Sequence, residues 1–350
     1  MTSPSPAPLD HASSTADLLA EADRLAADGR SLEAVDLLHA ANVARRDPEL
    51  EVRLAVLRHQ AFGELDRTPG FPEWPVPTSG IDRSESPRIP VIAPSELDAD
   101  AVRRAMAVHG SAHVPGLIDA DTVRAFVEGI DHVLALRKEM EGRPLDAHDS
   151  WLVSLPLPPA QAGTLARKWV AGDGGALMCD SPRLLDLVFA TYERVGLKRL
   201  LTDYLGERPV LSANKGTLRR ARVEGKTDWH QDGNFLGRGL RALNVWITLT
   251  DCGVDAPTMD LVPKRFDTIV ESGTGGAIFD WAVGPDVVAE LAADAPPVRP
   301  VFKAGDCMLF DDLCLHRTAL APEFVNTRHA LESWFFAASA YPAGQVPLVW

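Results

Sequence analysis

Thr227-Asp228-Trp229-His230-Gln231-Asp232-Gly233 holds a histidine and an aspartate one residue apart. On an extended backbone alternate side chains share a face. His230 and Asp232 are therefore expected to reach one ion together while Gln231 faces away. Gly233 is expected to let the chain turn sharply straight after the second ligand. A third ligand must come from another strand. Of the ten histidines, His11, His39 and His59 lie in a helical N-terminal stretch, and His109 and His113 precede the strand-rich part. His132 sits in an amphipathic helix, His148 in a polar loop, and His329 beside Arg328 is a weaker rival. His316 follows a turn, an apolar strand and a short loop, Ala304-Gly305-Asp306-Cys307-Met308-Leu309-Phe310. Two histidines and one carboxylate cover one face of an octahedron and leave three positions open, the arrangement of non-haem iron(II) oxygenases. Those positions suit a bidentate 2-oxo acid and then O2. A 2-oxo acid with a second carboxylate needs a cation. Arg328 opens the apolar strand Ala330–Ala338, and its forked guanidinium can grip a carboxylate with two parallel hydrogen bonds.

These residues need a rigid frame, and the chain after Pro209 reads as one. Short apolar runs at Val210–Leu211, Ala242–Leu249, Met259–Val262, Val301–Phe302, Met308–Phe310 and Ala330–Ala338 are separated by Gly, Asp and Pro. Such spacing predicts an all-β sandwich or barrel. With helices ahead of the strands, the expected fold is mainly β with bracing helices: a double-stranded β-helix, or jelly roll, preceded by a small α-helical segment. Residues 1–12 read as a disordered tail. Residues 13–62 read as a helical segment like a single tetratricopeptide hairpin, with stripes through Leu18, Ala22 and Leu25, then Ala34, Leu37 and Leu38. One repeat cannot bury its own face, so the segment is expected to pack on the main domain; a protein partner through these helices is the other reading. Residues 63–88 are a Pro-rich linker, and residues 89–350 the oxygenase domain. Ser95 is the expected cap of a helix reaching Val108, and Asp119 of one reaching Leu136.

Composition narrows the partners. Thirty-five basic against 49 acidic residues give a net charge of −14, which repels phosphate backbones and argues against nucleic acid. Arg219, Arg220 and Arg222 form a local basic patch, read mainly as a solvated strand face. No apolar run suits a bilayer span, so no membrane is expected. The N-terminus lacks the basic-then-apolar pattern of a secretory signal, so a cytoplasmic location is expected. Cys179, Cys252, Cys307 and Cys314 form no C-x-x-C pair and are expected to be free core thiols.

The order of these motifs resembles the phytanoyl-CoA dioxygenase family of iron(II)/2-oxoglutarate enzymes. The matching pieces are Gly110–Ile118, His230–Gly233, Asn244–Leu249, Leu261–Arg265, Ala304–Asp306, His316–Thr318 and Arg328. The family's usual Pro-Gly-Ser-His turn is replaced by Pro263-Lys264-Arg265-Phe266. The resemblance implies His230, Asp232 and His316 as iron ligands, Arg328 as the anchor of 2-oxoglutarate, and Trp246 as a wall of its pocket. It implies Fe(II) with 2-oxoglutarate and O2 as co-substrates, and hydroxylation of a small-molecule metabolite, as in secondary metabolism, with release of succinate and CO2. Desaturation or ring formation at the same site is an alternative, as is a non-catalytic jelly-roll binding protein. Halogenation is disfavoured because Asp232 is present.

Overall fold

The structure, a computed structural model, describes residues 14–77, 86–141, 143, 149–158, 161, 163–165, 170, 174–221, 223 and 228–350. The expected tail at 1–12 lies outside the described residues, as do positions 78–85 of the expected linker.

The protein is built on antiparallel sheet with helices against it. Nine strands are described: β1 Ser111–Val114, β2 Gly175–Leu177, β3 Pro209–Ala221, β4 Ala242–Thr248, β5 Thr258–Leu261, β6 Cys307–Phe310, β7 His316–Ala319, β8 Arg328–Ala337 and β9 Pro347–Val349. Seven form one sheet in the order β1-β6-β4-β8-β3-β2, with β9 also paired to β3; β5 and β7 form a second, smaller sheet. Isolated bridges His230–His316 and Leu261–Val298 widen the small sheet.

Alternation divides the side chains of the large sheet. Ala242, Trp246, Met308, Phe310, Ala330, Trp334 and Phe336 form a cluster with Met259 and Leu261 of the small sheet. The intervening Leu243, Val245, Ile247, Leu309, Leu331 and Phe335 belong to a separate core with Phe126, Phe189, Tyr192 and Leu201. That second core brings in α5 (Ala120–Glu139), α6 (Pro182–Arg194) and α7 (Leu197–Leu205). The inner cluster is the one that faces the metal-ligand candidates.

Strand β3 is much longer than the apolar pair Val210–Leu211 foretells. Its register on β8 shifts between Leu211 and Gly216, after which Thr217 faces Glu332 and Arg219 faces Ala330. Lys215, Thr217 and Arg219 thus fall on the inner face and erase the apolar alternation that would have marked the strand. Val301–Phe302, read as a strand, contributes only the isolated bridge from Phe302 to Cys252. The helix α4 runs Ala99–His109 and is capped by Asp98, whose carboxylate accepts from Ala101 N at 2.7 Å. Ser95 lies instead in the short 3-10 turn Pro94–Glu96. Asp98 takes the cap because it alone stands three residues before a free amide of the first turn. Asp119 caps α5 by accepting from Thr122 N at 2.8 Å.

The N-terminal helices α1 (Thr15–Ala27), α2 (Ser31–Ala44) and α3 (Pro48–Gln60) share one core, Leu25, Leu38, Leu50 and Leu54 with Val210 and Val349 of the sheet. Buried polar contacts reinforce this joint: Asn42 donates to Asp186 at 2.7 Å, and Arg58 donates to Val349 O at 3.0 Å. Leu38 is fully buried. Leu38→Ala should therefore cost about 2–5 kcal/mol in urea unfolding, the range for emptying a leucine site. A cost near zero would mean that these helices contribute nothing to the stability of the sheet.

Candidate metal centre

Trp229 and His230 lie on extended backbone; Trp229 is bridged to Val283, and His230 to His316. The two histidines exchange backbone hydrogen bonds, His230 N to His316 O at 2.9 Å and His316 N to His230 O at 3.0 Å. This pairing sets their rings 4.4 Å apart. Asp232 does not continue the extended run. Its φ of −63° and ψ of −27° are helical, and the turn Gly233–Leu236 follows. Gly233 is needed for space and not for an unusual φ. A Cβ there would lie 2.7 Å from Ile269 Cδ1 and 2.9 Å from Asp312 Oδ2. Gln231 faces away, donating to Leu313 O at 2.7 Å and accepting from Val270 N at 2.7 Å.

His230, Asp232 and His316 each offer one ligand atom, all within 4.8 Å of one another. His230 Nδ1 lies 3.0 Å from Asp228 O, and His316 Nδ1 lies 3.0 Å from Cys314 O. A carbonyl can only accept, so each Nδ1 carries a proton and each Nε2 is the ring nitrogen turned to a metal. Burial, and then the neighbouring His316, push the His230 imidazole down to about 4, so it is neutral near pH 7. Burial works to raise the Asp232 carboxyl, but Lys215, His316 and His230 outweigh it and hold it below the usual range. Two imidazoles and one carboxylate gathered this closely are the donor set of an octahedral iron(II) site with three open positions.

Lys215 was not singled out by the sequence. Its ammonium donates to Asp232 Oδ1 at 2.8 Å, while Oδ2 lies 3.7 Å from His316 Nε2. The lysine thus engages one carboxylate oxygen and leaves the other toward the histidines. Its position in step with Thr217 and Arg219 was the available signal, but that signal needs the strand register. Lys215→Met removes the constraint on Oδ1 and a cation from beside an anion-binding centre. Both changes act in one direction. 2-Oxoglutarate binding to the iron-loaded protein should weaken about tenfold, the lower end of what losing an outer-shell partner costs. Anaerobic titration measures this, and unchanged affinity would show that Lys215 does not orient the site.

Arg328 opens β8 on the inner face and is buried. Its Nη1 donates to Thr258 O at 2.9 Å, and its Cζ lies 5.2 Å from the Trp246 ring centroid. Its Nε has no partner, and among the described residues no carboxylate stands within ion-pair distance. Burial is the main cause that pushes its pKa down to about 10, so it remains charged near neutral pH. Glu332, the obvious rival partner, is engaged by Thr217 at 3.1 Å and Arg219 at 3.9 Å. A buried guanidinium without a counter-ion fits the far carboxylate of 2-oxoglutarate. Trp246 is buried beside it. His329 points away from the centre, 3.0 Å from Asp131 Oδ1. Arg220 also pairs with Asp131, and Arg222 lies outside the described residues. All four cysteines are free and buried. Among the described residues, no helix is long and apolar enough to cross a membrane.

Two histidines and a carboxylate close enough to hold one ion fit the class that the family match shows: non-haem iron enzymes that use 2-oxoglutarate and O2. The chain belongs to the phytanoyl-CoA dioxygenase family, whose sequence profile matches residues 106–320, more than half of its length. No curated protein matches it in sequence. Similar solved structures include the non-heme alpha ketoglutarate dependent carbocyclase SnoK from nogalamycin biosynthesis, 18% identical over 72% of this chain and 87% of that one, TM-score 0.44. EctD from S. alaskensis, solved with 2-oxoglutarate and 5-hydroxyectoine, is 18% identical over 75% and 87%, TM-score 0.45. AviO1 from Streptomyces viridochromogenes Tue57 is 19% identical over 71% and 98%, TM-score 0.43.

Proposed function

We propose that this enzyme hydroxylates a C–H bond of a small-molecule metabolite in the cytoplasm, with His230, Asp232 and His316 holding iron(II) and Arg328 holding 2-oxoglutarate. The reading takes the two sheets as a double-stranded β-helix spanning residues 89–350, with residues 13–62 as a helical brace and 63–88 as their linker. The observation that carries it is the buried guanidinium of Arg328, which has no carboxylate partner among the described residues; it stands over Trp246 of the inner cluster, whose Phe310 meets His316 of the three-ligand group.

When bound, iron with 2-oxoglutarate and O2 supplies the oxidation: one oxygen atom goes to the C–H bond, the other to succinate, and CO2 leaves. The chain's own residues do the rest. Arg328 fixes the far carboxylate by paired hydrogen bonds, and Trp246 limits where the carbon chain between can lie. Lys215 holds Asp232 Oδ1. Phe310, 4.8 Å from the His316 ring, keeps that imidazole in place and water away from its flank.

The test is succinate release over a panel of small metabolites, from protein loaded with iron(II) and 2-oxoglutarate without O2 and then exposed to it. A substrate should raise succinate above the background and give a product one oxygen atom heavier. A product lighter by two hydrogens would instead assign desaturation or ring closure. No stimulation by any compound, in protein shown to hold iron and 2-oxoglutarate, would count against a small-molecule oxygenase.

A further inference from the structure

Beside the metal centre lies a group of exposed aromatic side chains that neither the fold nor the ligand set explains. Phe235 is 43% exposed, Phe279 40%, Trp281 37% and the adjoining Ile278 56%. Trp281 stacks on Phe279 with centroids 5.0 Å apart and planes within 5°, and it meets Phe235 at 5.3 Å. The cluster reaches the site itself. The His230 ring lies 5.9 Å from Trp281 and 6.0 Å from Phe235.

Exposed aromatics on a loose loop would carry little meaning, but this loop is tied to the ligand segment. Ile278 N donates to Asp228 Oδ2 at 3.2 Å, Val283 N to Trp229 O at 2.8 Å, and Asn234 Nδ2 to Trp281 O at 3.1 Å. These anchors fall on the residues flanking His230 and Asp232. The backbone that carries Trp281 and Phe279 is therefore held at a fixed place beside the metal ligands, while the rings stay uncovered. Contiguous exposed apolar surface beside a functional centre marks binding. Rigid aromatic faces favour flat partners, which gain offset stacking beyond the area they bury. Among the described residues the one cation over the cluster is Lys215, 5.3 Å from the Phe235 centroid and bonded to Asp232.

We infer that Phe235, Phe279 and Trp281 form the substrate platform of the enzyme, and that the substrate carries a flat, apolar ring system. This rests on the proposed function for its metal site. With the ring seated on Trp281 and Phe235, a carbon at the ring's edge or on a short substituent comes beside His230, where the oxidation is delivered.

The experiment uses the full chain with 1-naphthol as the flat probe and decahydro-1-naphthol as its saturated counterpart. Binding is followed by naphthol fluorescence. Position is read from proton line broadening in protein loaded with manganese(II), against zinc(II)-loaded protein. Naphthol should bind at least about fivefold more tightly than the saturated alcohol, and its signals should broaden with manganese(II). Trp281→Ala should weaken it at least about tenfold, equivalent to about 1.4 kcal/mol. Phe235→Leu, which keeps apolar bulk, should weaken it about threefold or more, and Val43→Ala on α2 should change nothing. Equal binding by Trp281→Ala, equal binding of the saturated alcohol, no binding to the wild type, or bound naphthol without broadening would each overturn the platform. So would concentration-dependent self-association abolished by Trp281→Ala, which would make the cluster a contact between copies. Protein that retains neither metal refutes the metal site separately; the fluorescence arm then still decides the platform.

Discussion

His316→Ala should remove tight iron(II) binding, by more than the about 100-fold that losing an outer-shell partner costs. The three candidate ligand atoms lie within 4.8 Å of one another; if they hold the iron, His316 is one of three protein donors among the described residues, and two cannot define the octahedral face. The fold should survive the change. The bridge between the two segments runs through the backbone atoms of residues 230 and 316, which alanine retains. What is lost is the ring on Phe310, a small packing term beside the coordinate bond. His329→Gln is the control, since that imidazole is also buried but is bonded to Asp131 away from the centre. Dialysis against a metal buffer, with circular dichroism alongside, measures both. Folded His316→Ala protein with wild-type iron affinity would remove this residue from the ligand set.

The ligand candidates were legible because their signals are local or strongly punctuated. His230 and Asp232 sit one residue apart, and His316 follows a Gly turn and an apolar strand. The backbone between the first two differs from the extended chain that the spacing predicts. Asp232 reaches the centre from a helical turn, which a one-residue spacing permits as well as extended chain does. In sequence Gly233 suggests conformational freedom, but its need is the space that Ile269 and Asp312 leave, visible only in three dimensions. β3 was truncated because apolar alternation fails wherever the inner wall of a sheet is polar. Lys215 and Arg219 made the strand look like surface. The aromatic cluster escaped for a further reason: Phe235, Phe279 and Trp281 lie up to 46 residues apart and follow no period. The hydrogen bonds that tie the 278–283 loop to the ligand segment bring them together. Resemblance supplied Trp246, since a tryptophan in an apolar strand is by itself only a core residue.

Arg328→Met should weaken 2-oxoglutarate binding about 30-fold or more while leaving iron affinity nearly unchanged. Truncating one partner of a buried charge pair costs about 2–5 kcal/mol, much of it from leaving the other charge unpaired, and each 1.4 kcal/mol is about tenfold. The size of the effect follows from the surroundings. The guanidinium is buried, stands over Trp246, and among the described residues bonds only backbone carbonyls, so solvent is poorly placed to replace it at the carboxylate. Arg328→Lys keeps the charge but loses the fork and should fall between wild type and methionine. A second role competes. Nη1 donates to Thr258 O and so links β8 to β5; losing that charge-assisted hydrogen bond costs about 1.5–3 kcal/mol of stability. A purely structural arginine would show that loss alone, with unchanged co-substrate affinity in the molecules that remain folded. The two roles separate when 2-oxoglutarate is titrated into the iron-loaded variants without O2, beside a melting curve of each. Methionine nearly fills the arginine stem's volume, so the variant should fold well enough to be titrated at a temperature below its transition. Folded Arg328→Met that binds 2-oxoglutarate as tightly as the wild type would end the anchor assignment, and with it the observation on which the proposed function chiefly stands.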